Sequence, residues 1–127
     1  MASGADTAKK ALIVGVTGIQ GGALASHLAD LEWNVVGVAR RPSADQPGVT
    51  PVSTDLTDES SVKEALAGID PTHVFFTAWS RQATEAENIR VNGSMLRNLL
   101  AAVADAPSLQ HVALTTGLKH YLGPFEA

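Results

Sequence analysis

A chain of 127 residues is long enough for one domain with a real hydrophobic core. With 45% hydrophobic and 17% charged residues and a mean hydropathy of +0.08, it is not a disordered chain. A net charge of -4 and a pI near 5.4 give no footprint for nucleic acid or an anionic membrane, and the lack of cysteine excludes disulfides and thiolate metal sites. No apolar run is long enough to cross a bilayer, and the first ten residues have no apolar stretch of the kind a secretory signal needs. Residues 1–9 read as a loose flexible tail, residues 10–127 as one domain, and the protein as cytoplasmic.

Residues 11–16 form a continuous apolar run ending at Gly15 and Val16, as expected of a strand buried on both faces. Ala23, Leu24, Leu28 and Leu31 recur at helical spacing and predict a helix over 22–31. Val35 to Val38 reads as a second strand, a polar Pro/Gly loop runs from Pro42 to Gly48, and Val49 to Ser53 is a short third strand. The next helix is expected from Asp58 as N-cap to Gly68 as C-cap. Val74 to Ala78 is the fourth strand. Thr84 to Asp105 is a long helix carrying Ile89, Leu96, Leu99, Leu100 and Val103, and Pro107 stops it. His111 to Thr115 is the fifth strand.

This alternation implies right-handed crossovers and an α/β fold, a Rossmann-type doubly wound parallel sheet of about five strands in order 3-2-1-4-5. Beyond Thr116 only Gly117 to Ala127 remain, too few for a sixth strand or a substrate region. The sequence therefore reads as truncated before the sixth strand, with an open sheet edge through which copies could associate as a homo-oligomer.

Gly15-Val16-Thr17-Gly18-Ile19-Gln20-Gly21 spaces its glycines at three and three, after a strand and before a helix. Such a turn lets backbone approach a pyrophosphate and aims the amides of a helix N-terminus at it. The spacing is of the short-chain-dehydrogenase type. At the end of the second strand an acid would suit the ribose hydroxyls of NAD, whereas arginine suits the 2′-phosphate of NADP. Here Arg40 and Arg41 follow Ala39, so the expected cofactor is NADP(H). Asp55 is read either as an acceptor for the adenine amino group, with Leu56 flanking the ring, or as a turn aspartate. Thr77 and Trp79 end the fourth strand, where the nicotinamide half should lie, and Trp79 either walls a substrate cavity or caps the core. Asn92 either braces backbone near the site or is a surface residue. His27, His73 and His111 lack metal-ligand spacing and read as packing or surface residues.

Several motifs occur in order: the glycine turn, Ala39 to Pro42, Thr72 to Phe75 with Trp79, Glu87-Asn88 with Asn92 and Met95, and Thr116-Gly117-Leu118-Lys119-His120-Tyr121-Leu122-Gly123-Pro124-Phe125-Glu126. Together they resemble the progesterone 5β-reductase/iridoid synthase-like family of atypical extended short-chain dehydrogenases. The resemblance implies NADPH-dependent reduction of the activated C=C bond of a small-molecule enone or enal, with Lys119 as the catalytic lysine and Thr116 in the cofactor site. The family's catalytic tyrosine would lie beyond Ala127, since Tyr121 matches the motif's own tyrosine. By itself the chain is expected to bind cofactor and to be inactive. The alternatives are a non-catalytic, redox-sensing NADP(H) module and a sugar-nucleotide epimerase or dehydratase.

Overall fold

Strands and helices alternate along the chain because buried apolar runs of period two or none are separated by segments of helical period. The computed structural model describes residues 8–115. Residues 1–7 of the expected tail and the whole motif from Thr116, including Lys119, His120 and Tyr121, lie outside the described residues. The elements are β1 (Lys10–Val14), α1 (Ile19–Asp30), β2 (Asn34–Ala39), β3 (Val49–Ser53), α2 (Glu59–Leu66), β4 (His73–Phe76), α3 (Glu85–Val103) and β5 (His111–Leu114). The five strands form one parallel sheet in order β3-β2-β1-β4-β5, as the alternation predicts.

The central strand carries the core on both sides. Leu12 and Val14 face a cluster with Val36, Val38, Val74, Phe76, Val62 and Leu66 of α2, and Met95, Leu99 and Val103 of α3. Ala11 and Ile13 face the opposite layer with Val35, Ala25 and Leu28 of α1. All four β1 side chains from Ala11 to Val14 are essentially inaccessible, and burying the larger ones stabilises the fold by about 1.5–3 kcal/mol each.

Helix faces differ from the sequence pattern in instructive ways. On α3 the buried stripe is Met95, Leu99 and Val103, while Ile89 is 69% exposed and Leu100 38%. On α1 the buried residues are Gly21, Ala25 and Leu28, and Leu31 is exposed. Small residues set that face because α1 lies almost on the backbone of the glycine turn, where a large side chain has no room. Boundaries also shift. β1 ends at Val14 because Gly15, at φ +92, turns the chain, and the amides of Gly15 and Val16 both donate to Val38 O. β4 ends before Thr77, whose amide makes the final bond to Val14 O at 2.8 Å. Asp58 caps α2 as expected, accepting from the Ser60 and Ser61 amides, but the C-cap is Ala67 and Gly68 lies one residue beyond at φ +83. Among the described residues no helix is long and apolar enough to cross a membrane.

Candidate functional site

Three chain segments meet where β1, β2 and β4 end at the same edge of the sheet. The first is the turn from Gly15 to Gly18, the second the exit of β2 at Ala39 and Arg40, and the third the stretch from Thr77 to Ser80 after β4. With Thr54 to Thr57 after β3 they enclose a cleft of about 490 Å³, floored by Met95 from α3. It sits at the carboxyl ends of the strands, beside the point where the strand order reverses around β1, the place where open α/β sheets bind ligands.

The glycine turn is built against β4. A Cβ at Gly15 would stand 2.8 Å from Ala78 N and 2.9 Å from Thr77 Oγ1, and one at Gly21 would run into Gly15 O. The Thr77 hydroxyl donates to Val14 O at 2.7 Å and lies 3.4 Å from Gly15 O, tying β4 to the turn. α1 then starts at Gly18 with no side-chain cap and no acid in its first turn. The other two helices differ: α2 is capped by Asp58 and carries Glu59, and α3 is capped by Thr84 and carries Glu85 and Glu87. The first amides of a helix have no intrahelical acceptor, and together they carry about half a positive charge. Among the described residues α1 has neither a capping side chain nor a first-turn acid at that end, which fits an anion in the cleft.

Of the residues singled out from the sequence, Gly15, Thr17, Gly18, Arg40, Asp55, Leu56, Thr77 and Trp79 line the cleft. Ile19, Gln20, Gly21 and Arg41 do not. Ile19 is 93% exposed and Gly21 is a buried packing glycine, so these turn positions offer backbone and space rather than side-chain contacts. Asp55 is a turn aspartate in the structure. Its Oδ1 accepts from the Thr57 hydroxyl at 2.6 Å and the Thr57 amide at 3.0 Å. These bonds, with the Arg40 guanidinium beyond them, hold its carboxyl below the usual carboxylate range. Arg40 approaches Asp55 only to 4.0 Å with both groups largely exposed, an ion pair worth at most about 1 kcal/mol. A phosphate therefore competes easily for the guanidinium.

Trp79 is 65% exposed at the cleft and does not cap the core. The loop that carries it is clamped from α3. Asn92 accepts from Ser80 N at 2.7 Å and donates to Ser80 O at 2.8 Å, and Asn88 accepts from Gln82 N at 2.7 Å. Asn98 reaches the far end of the cleft, donating to Leu56 O at 2.9 Å. Sequence reading missed Ala39, Thr54, Thr57, Ala78, Ser80 and Met95. Signals existed for Ala39 and Met95, which fall in the motifs quoted above, and Met95 also stands one helical turn before Leu99. His27, His73 and His111 lie outside the cleft lining: His73 and His111 pair across β4 and β5 with ring centroids 5.3 Å apart, and no cluster among the described residues suits a metal.

The family model of the NAD dependent epimerase/dehydratase family matches residues 11–119. Over 126 residues the chain is 48% identical to a 3-oxo-Delta(4,5)-steroid 5-beta-reductase of Arabidopsis thaliana, covering 91% of this chain and 32% of that protein. Over 127 residues it is 46% identical to an (S)-8-oxocitronellyl enol synthase of Nepeta cataria, with the same coverage of 91% and 32%. The chain thus spans about a third of the length of the curated relatives it matches. These relatives are of the kind that the motif resemblance named. Among solved structures it resembles the Bordetella bronchiseptica enzyme WbmH in complex with NAD+, at a TM-score of 0.74 and 23% identity, covering 93% of this chain and 43% of that one. That likeness concerns the fold.

Proposed function

The chain belongs to the NAD dependent epimerase/dehydratase family, and we propose that it carries the NADP(H) site of a reductase acting on activated C=C bonds of enones or enals. The observation behind the cofactor reading is the uncapped, acid-free start of α1 opening onto a cleft with Arg40 on its rim. The amides of Thr17, Ile19, Gln20 and Gly21 would receive the pyrophosphate, with Gly18, whose own amide donates to Gly15 O at 3.0 Å, shaping the turn. Arg40 and Arg41 would hold the 2′-phosphate, and Asp55 and Leu56 the adenine. Thr77, Trp79 and Thr116 would border the nicotinamide half, with Ala78 and Ser80 closing the wall against water.

Bound there, the cofactor would supply a hydride. The residues' own task is to orient it and to meet negative charge developing on a carbonyl oxygen, and Lys119 is our assignment for that donor. Reductive chemistry is favoured over epimerisation by the relatives' names, one a steroid 5-beta-reductase and the other an enol synthase.

Titration with NADPH and NADH tests the cofactor assignment. NADPH should bind more tightly, and Arg40→Ala should weaken it about tenfold, as expected for losing a charge-assisted phosphate contact, while sparing NADH. Equal affinities in the parent chain, or an unaffected variant, overturn the assignment. The reductive half is tested by NADPH oxidation with an enal in a protein of the relatives' length carrying this sequence, where no oxidation above background overturns it.

A further inference from the structure

The connection from β2 to β3 joins two parallel neighbours through residues 40–48 alone, without a helix. It starts with Arg40 and Arg41, so whatever fixes this loop bears on the Arg40 guanidinium at the cleft rim and on its neighbour Arg41. Its first residue is held from β3, where Ser53 Oγ donates to Arg40 O at 2.7 Å. Its far end is held from α1. Gln46 Nε2 donates to Gly22 O at 3.1 Å and to Ser26 Oγ at 3.2 Å. Behind it Gly48, at φ +77, lies so close that a Cβ would stand 2.9 Å from Ala29 Cβ. Among the described residues the side-chain hydrogen bonds between this loop and α1 are those of Gln46 alone.

We propose that Gln46 is a positioning residue for discrimination between NADPH and NADH, tying the arginine-bearing loop to the same helix whose N-terminus would hold the pyrophosphate. The two cofactors differ only at the adenosine 2′ position. A loop that must be ordered as the phosphate arrives loses affinity for NADPH and none for NADH. By contrast, a defect in α1 itself would weaken both. Gln46 does not line the cleft and would act through Arg40 and Arg41. The inference rests on the NADP(H) assignment above.

The test is isothermal titration of the chain, Gln46→Met and Gln46→Ala with NADPH, NADH and 2′,5′-ADP, alongside thermal unfolding. Gln46→Met keeps the packing volume and removes the donor. We expect NADPH and 2′,5′-ADP to weaken about fivefold, the order expected for losing the two bonds that Gln46 Nε2 donates, with NADH changed less than about twofold. Ser26→Ala, which deletes one of the two acceptors, should shift the ratio the same way and less. A preference for NADPH over NADH that is as large in Gln46→Met as in the parent overturns this inference alone, as does a parallel loss of NADPH and NADH. A parent chain without preference overturns the cofactor assignment and this inference with it.

Discussion

A single methyl group at Gly21 would collide with Gly15 O and stand 2.7 Å from Thr77 Oγ1. The neighbours it would meet are turn backbone and a hydroxyl already bonded to Val14 O, so they cannot give way cheaply. Overpacking of this kind costs about 1–3 kcal/mol, against about 1 kcal/mol that alanine gains over glycine in a helix. Gly21→Ala should therefore destabilise the chain, read as a lower denaturant midpoint, although the change favours helix formation. A raised midpoint would show that α1 moves freely on the turn. The sequence made these glycines legible as a group but not their separate tasks. Gly15 is needed for its positive φ and its closeness to β4, and Gly21 for contact with the turn; both depend on Thr77, over fifty residues away in the chain.

At the scale of the element, α1 is the helix without an N-terminal side-chain cap, and Gly18 holds the cap position at φ -79 and ψ 170. That backbone suits any residue, and a Cβ there would meet only Gly15 O at 3.4 Å. Gly18→Asp should thus add a capping carboxylate worth about 0.5–1 kcal/mol and raise the unfolding temperature. The same carboxylate would occupy the anion position, so NADPH affinity should fall at least about tenfold by the cost of like charges at a helix terminus. Calorimetry and titration on one sample check both halves. Higher stability with undiminished NADPH binding would remove α1 from the proposed site. The cap of α2 was readable in advance because Asp58 bonds within three residues, and the Thr84 cap of α3, equally local, was not singled out. The buried faces were not readable, because large apolar residues such as Ile89 and Leu100 follow the helical period and yet stay exposed, at 69% and 38%.

Over the whole molecule the two edges of the sheet are unequal. All four residues of β5 are exposed, Val112 at 44% and Leu114 at 51%, and the strand contains no lysine, proline or acid to discourage pairing with another chain. We expect reversible association of the chain through this edge, visible as a concentration-dependent rise in scattering mass. Val112→Lys, which puts a charge on the strand, should reduce it. A strictly monomeric parent chain at high concentration would count against edge pairing.

Composition and period alone determined the class of this protein. Runs such as Ala11 to Val14 can be buried on both faces only in a parallel sheet covered by helices, and short crossovers then leave few strand orders. The glycine spacing and the paired arginines were likewise local, because a turn and a phosphate contact each draw on adjacent residues. Tertiary structure decided which of those residues share a cleft. It brought Met95, Thr54 and Ser80 to the floor and walls, turned Asp55 toward Thr57, withdrew Gly21 into packing, and set Gln46 on α1. Apart from the local turn of Asp55 and Thr57, these contacts join segments that do not share one local pattern, as Gln46 and Gly22 do across 24 residues, and no local period encodes them.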